Sequence, residues 1–130
     1  NDSRGHQAGD RALGLIANIL REELRAADES ARYGGDEFIV LLPRTTATEA
    51  AVLARRVAEC YRQRATALAP ASLRLSLTLS IGIHAAEGTD LMGRYELVKT
   101  ADAALLEAKK AGKGRVVIAS NPASPQTART

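Results

Sequence analysis

Two carboxylates directly behind a pair of glycines are the side chains of this sequence best placed to do chemistry. They lie in the run Arg32-Tyr33-Gly34-Gly35-Asp36-Glu37-Phe38-Ile39-Val40-Leu41-Leu42-Pro43. A glycine pair between a short polar-apolar run and a β-branched apolar run predicts a β-hairpin, with Gly34 and Gly35 taking positive φ in the turn. The second arm is expected over 37–42, and Pro43 stops it by withholding a ladder donor. Carboxylates at a sheet edge can reach a ligand, and glycines without a Cβ let a phosphate or a base approach the backbone. Side chains alternate along a strand, so Asp36 is read as the working carboxylate and Glu37 as its reserve. A solvated acidic hairpin tip is the rival reading.

The rest of the chain must hold this turn in place. Its 130 residues suffice for one domain with a buried core. An apolar share of 45% and a charged share of 25% are those of an ordinary globular domain. Aromatic residues make up only 3% and Trp is absent, so the core must be Leu, Ile, Val and Ala. The same scarcity argues against a base-stacking platform, and nucleic acid is not an expected partner. The single cysteine, Cys60, excludes an intrachain disulfide, which suits a reducing compartment and a cytoplasmic location. No apolar run approaches a membrane span and no signal-peptide pattern is read, so membrane contact is not expected. A net charge of +3 is mild and by itself fits an anionic small ligand as well as nucleic acid.

Taken in order, 1–10 is polar and glycine-rich, and Asp10 is a plausible N-cap for a helix from Arg11 to about Arg25. Leu13, Ile16, Ala17, Leu20 and Leu24 give that helix one apolar stripe. The hairpin follows, then Thr45 to Thr48 as loop and cap. A second helix runs to about Gln63 with Ala50, Leu53, Ala54, Val57 and Tyr61 inward, and 65–71 is a connector containing Pro70. From Leu73 to Ile83 apolar and polar residues alternate strictly, which predicts a strand with one buried face. A third helix from Arg94 to about Ala111 ends on Gly112 in the C′ role. A last strand spans 115–119, and 120–130 is expected to be a disordered tail. The order α-β-β-α-β-α-β predicts an α+β fold whose sheet contains antiparallel strands and carries helices on one side.

Several of these stretches together resemble the GGDEF family of diguanylate cyclases. The resemblance rests on Asn1-Asp2-x-x-Gly5-His6-x-x-Gly9-Asp10, Arg25-x-x-Asp28 and Arg32-Tyr33-Gly34-Gly35-Asp36-Glu37-Phe38. It continues in Thr78-Leu79-Ser80-Ile81-Gly82-Ile83, Ala101-Asp102-x-Ala104-Leu105 and Ala108-Lys109-x-x-Gly112-Lys113. The pieces fall in order over about 1–119, and the ordered set is far more specific than any one motif.

The resemblance implies a domain over 1–119 with a central, mostly antiparallel sheet flanked by helices, similar to nucleotidyl cyclase and polymerase palm domains. It implies condensation of two GTP into cyclic di-GMP with release of pyrophosphate, by a homodimer whose two domains face each other. It implies Mg²⁺, or Mn²⁺, held by Asp36, with Asp36 and Glu37 as the catalytic carboxylates. Asn1 and Asp10 match guanine-binding positions, Gly34 and Gly35 border the substrate, and Lys109 and Lys113 match phosphate contacts. Arg25 and Asp28 match an inhibitory product site, with Arg56 a further arginine for the same ligand. A receptor that binds cyclic di-GMP without making it is the alternative function.

Each residue also has a plainer role open to it. Asp10 could only cap its helix, and Lys109 with Lys113 could be last-turn cations favoured by the helix dipole. As i and i+4 neighbours those lysines are expected to point one way. Arg25 and Asp28, expected at the end of the first helix, could be a surface pair worth about 0.2–0.5 kcal/mol. His6 is read as structural, Phe38 as core, and Arg55 and Arg56 as a solvated helix face. The family also has a strand just before the position of Asn1, with another metal-binding Asp and a Phe-Lys pair. The expectation is therefore a partial or truncated chain, with an unpaired sheet edge and little activity of its own. Leu106 and Gly114 stand where the family usually shows Tyr and Asn.

Overall fold

The structure is a computed structural model. It describes residues 2–68, 78–86 and 93–119, and gives the side chains of 10–67, 78–86, 93 and 95–119. Asn1, 69–77, 87–92 and 120–130 lie outside the described residues. With them go the guanine contact expected at Asn1, the Pro70 connector, the first part of the alternating strand and the tail.

The described elements are α1 (Asp2–Glu23), β1 (Glu29–Arg32), β2 (Phe38–Leu41), α2 (Ala47–Leu68), β3 (Ile81–Ile83), α3 (Arg94–Lys110) and β4 (Val116–Ile118). Helices occur together with small sheets, one of them antiparallel, in keeping with the α+β class. β1 and β2 pair antiparallel with Glu29 opposite Leu41 and Arg32 opposite Phe38. β3 and β4 pair parallel, with Ile81 opposite Val116 and Ile83 opposite Ile118. The described strands thus form one antiparallel and one parallel pair. The parallel pairing has a topological cause: α3 lies between its strands in sequence and carries the chain back to the starting edge.

The chain divides into two compact units, Asn1–Thr45 with Arg55–Thr78, and Thr46–Ala54 with Leu79–Thr130. In the first, Ile19 is wholly buried, with Leu20, Val57, Tyr61 and Ala65 buried as well. The expected α1 stripe omitted Ile19, although it lies beside Ile16 and Leu20 on a helical wheel. Burial pushes the Tyr61 phenol above its ordinary pKa. In the second unit the buried residues are Ala50, Ala51, Ala54, Ile83, Ala104 and Ala108. No helix among the described residues is long and apolar enough to cross a membrane.

Helix ends decide where the site residues fall. α1 begins at Asp2, so Asp10 is not its N-cap and sits, exposed, within the helix. Gly5, Gly9 and Gly14 each cost roughly 1 kcal/mol in a helix, yet without proline nothing forces a break. α2 opens on a capping box: Glu49 N–H donates to Thr46 Oγ1 at 3.1 Å, and Thr46 N–H donates to Glu49 Oε1 at 2.9 Å. It runs past Gln63 to Leu68 and takes Ala65 into the core, where a connector was expected. α3 stops as its glycine predicts. Gly112, at φ 123°, donates to Lys109 O at 3.4 Å, and Lys113 N–H reaches Ala108 O at 3.1 Å. That pair of bonds is a Schellman stop.

Candidate active site

The hairpin tip spans 33–37. Tyr33 and Gly34 both donate their N–H to Glu37 O, at 2.8 and 3.4 Å. This turn is wider than a two-residue one, and neither Gly34 nor Gly35 takes positive φ, contrary to expectation. Its extra residues spread the reversal over several ordinary conformations, so the backbone does not need the left-handed region. A Cβ built on either glycine would meet nothing within 4 Å. Nothing in this chain's own conformation or packing therefore demands two glycines here. What they leave is open backbone at an exposed tip.

Asp36 sits on that tip, exposed, and no hydrogen bond or ion pair holds its carboxylate among the described residues. Glu37 is half-buried and leads into β2. Phe38, expected in the core, is only half-buried. Arg32, at the end of β1, donates from Nε to Gly35 O at 3.1 Å and to Gly34 O at 3.4 Å, with Nη2 also on Gly35 O. Sequence reasoning left this arginine without a role at the tip.

Among the described residues no three His, Cys, Asp or Glu side chains gather where they could hold a metal ion. The exposed carboxylate of Asp36 nonetheless fits magnesium or manganese as a single protein ligand. Magnesium binds through one or two carboxylates and takes its other oxygens from water and from substrate phosphates.

Lys109 and Lys113 do not share a helical face. Lys109 is exposed in the last turn of α3, whereas Lys113 lies beyond the stop at φ 61°. Helical i,i+4 geometry applies only while the helix continues, and this one ends at Lys110. The loop carrying Lys113 is tied to the strand side by Gly114 N–H, which donates to Ser80 Oγ at 3.1 Å.

Arg25 and Asp28 also differ from expectation, since α1 ends at Glu23 and they form the corners of a turn before β1. Asp28 N–H donates to Arg25 O at 3.0 Å. The guanidinium grips the carboxylate through Nε at 3.2 Å and Nη2 at 3.1 Å, and Arg25 N–H adds a third bond at 2.9 Å. Nη2 also reaches Pro43 O at 3.2 Å and Thr45 Oγ1 at 2.8 Å, joining this turn to the exit of β2. The Asp28 side chain is 2% exposed and that of Arg25 61%. Asp28 thus orients the arginine, rather than lying open to accept from a base. Arg56 forms an ion pair with Glu23, and a second pair, Arg64 with Glu22 at 2.7 Å, also links α1 to α2.

The Arg25 guanidinium and backbone N–H hold the Asp28 carboxyl below its ordinary value of 3.8. A depressed folded-state value stabilises the fold fully above 3.8, and that contribution is lost as pH falls through the lowered value. Wild type should therefore melt above Asp28→Asn at neutral pH, with the gap closing as pH falls below 3.8 through the lowered value. Thermal melts across that range check this, and a gap unchanged by acid would contradict it.

The fold is similar to that of solved GGDEF domains. The family model "Diguanylate cyclase, GGDEF domain" matches residues 1–115, and the chain belongs to that family. It is 42% identical over 122 residues to diguanylate cyclase DgcP of Pseudomonas aeruginosa, covering 92% of this chain and 17% of that protein. With diguanylate cyclase A of Treponema denticola it shares 37% over 121 residues, 93% of this chain and 32% of that protein. The chain thus spans a third or less of these relatives. Among solved structures it is similar to the GGDEF domain of DgcB from Caulobacter crescentus in complex with c-di-GMP. The TM-score is 0.75 at 29% identity, covering 91% of this chain and 68% of that one.

Proposed function

We propose that this domain, over 1–119, joins two GTP molecules into cyclic di-GMP and acts in the cytoplasm. The observation that carries the reading is the hairpin tip: two glycines that the chain's own packing does not require, beside an exposed carboxylate. Glycines kept where a Cβ has free space are explained by an incoming group that needs that space. In the reaction, the 3′-hydroxyl oxygen of one nucleotide attacks the α-phosphorus of the other. The bond to pyrophosphate breaks, the hydroxyl proton leaves, and a second such step closes the ring, so two GTP give one cyclic di-GMP and two pyrophosphates. Each GTP must meet another held in reversed orientation, hence a homodimer. A bound Mg²⁺ or Mn²⁺ would lower the hydroxyl pKa and neutralise phosphate charge.

Asp36, with Glu37 behind it, is the group to hold that ion and assist the proton's departure. Asn1 and Asp10 are assigned to guanine, and Lys109 and Lys113 to the phosphates. The longest natural chain carrying this domain, given GTP and Mg²⁺, should yield cyclic di-GMP and pyrophosphate in a ratio of one to two. Binding of GTP without any turnover would overturn the reading.

Product inhibition is assigned to Arg25, Asp28 and Arg56. Arg25 is exposed yet held by Asp28, Pro43 and Thr45, so its guanidinium is oriented before a ligand arrives. Arginine is a cation suited to a phosphate or a guanine edge. Arg25→Ala should weaken cyclic di-GMP binding at least tenfold, about 1.4 kcal/mol. Calorimetry showing equal affinity would move the ligand elsewhere. A non-catalytic receptor is the second reading, favoured by the same prebuilt turn, and would show product binding with no turnover.

A further inference from the structure

We infer that Arg32 is a positioning residue that aims two backbone N–H groups of the hairpin tip at a nucleotide phosphate. The inference rests on the nucleotide-condensing reading above and adds a residue to it. Arg32 holds the carbonyl oxygens of two successive peptides, Gly34 O and Gly35 O, on its own side of the tip. No peptide bond among the described residues is cis. In a trans peptide the N–H points opposite to the C=O. The N–H groups of Gly35 and Asp36 therefore face away from the guanidinium.

Neither of these N–H groups has a hydrogen-bond partner among the described residues, whereas Tyr33 and Gly34 give theirs to Glu37 O. Two adjacent donors pointing one way from an exposed turn form a small anion-binding concavity. The same peptides carry no Cβ that would keep an anion at a distance, since both glycines face open space. A nucleotide phosphate is the anion of matching chemistry, and Asp36 lies on the residue that contributes the second donor.

The geometry also explains why a guanidinium is needed. Its Nε and Nη2 reach Gly35 O together while Nε also reaches Gly34 O, a planar fork that one ammonium cannot reproduce. Without the fork the peptides can rotate, and the donors lose their common direction. Because the N–H groups grip the phosphate in the ground state, their loss acts on KM.

The test uses the longest natural chain carrying the domain, with GTP and Mg²⁺ as the probe. In wild type, GTP should shift the amide NMR signals of Gly35 and Asp36. Arg32→Ala should abolish both responses and raise KM for GTP about tenfold, as losing a pair of charge-assisted bonds does. Arg32→Lys should fall between the two. The Tyr33 amide, bonded to Glu37 O at 2.8 Å, should keep its protection from hydrogen exchange, which separates a tilted tip from an opened hairpin. Wild-type values of KM and of both amide responses in Arg32→Ala and Arg32→Lys would overturn the inference alone. A wild type that makes no cyclic di-GMP would instead overturn the functional reading beneath it. Should Arg32→Ala fail to fold, Arg32→Lys carries the same comparison.

Discussion

Replacing Asp36 by Asn is expected to leave the fold intact and to lower cyclic di-GMP formation at least a hundredfold. The fold survives because the side chain is exposed and has no partner among the described residues, so its replacement breaks no contact. Exposed substitutions of this kind usually change stability by less than about 0.5 kcal/mol. Activity falls because an amide keeps the shape and discards the charge. It binds a divalent cation weakly and cannot take up a proton at neutral pH. A hundredfold loss corresponds to about 2.7 kcal/mol of transition-state stabilisation. Circular dichroism and thermal melts would establish the fold, and chromatographic product assays the rate. A folded variant keeping more than a few per cent of wild-type turnover would remove Asp36 from the chemistry. The effect should appear in kcat, in contrast to the KM effect expected at Arg32.

The largest stability effect is expected at Gly82, in the middle of β3. A Cβ there would lie 2.8 Å from Leu105 Cα and closer still to Leu105 N and Ala101 O. These are backbone atoms of α3, which cannot swing aside as a side-chain tip would. Gly82 therefore sets how closely α3 approaches β3, and the absence of a side chain is the requirement. Gly82→Ala should cost about 3 kcal/mol, at the upper end of overpacking penalties, or prevent folding. A drop of that size would lower the melting temperature of a domain this long by roughly 10 °C. The control is Gly35→Ala, where the added methyl meets nothing within 4 Å and φ is ordinary, so stability should be unchanged. Equal melting temperatures for Gly82→Ala and wild type would show that α3 stands further from β3.

The hairpin, the cap region ahead of α2 and the glycine stop of α3 were legible in the sequence because each is local. The β-branched run after Gly34-Gly35, the threonines at 45–48 and Gly112 just past the end of α3 each act within a few residues, although the two hairpin glycines do not take the positive φ expected of them. Membership in the family was legible for a related reason, since its motifs recur in order along the chain. The start of α1 was not, because Asp10 caps and interior Asp look alike until the upstream ladder of hydrogen bonds is seen. Spacing misled at Arg25 with Asp28 and at Lys109 with Lys113. Residues three or four apart are neighbours on a helix, but the first pair corners a turn and the second straddles a helix end. Only the tertiary structure brought Pro43 and Thr45 to Arg25, from 18 and 20 residues along the chain. The sequence determined which groups could bind phosphate, metal and guanine, because those are properties of side-chain chemistry. The tertiary structure decided which carboxylate stays open and which is taken up by its own arginine, because that depends on what the chain folds against each one.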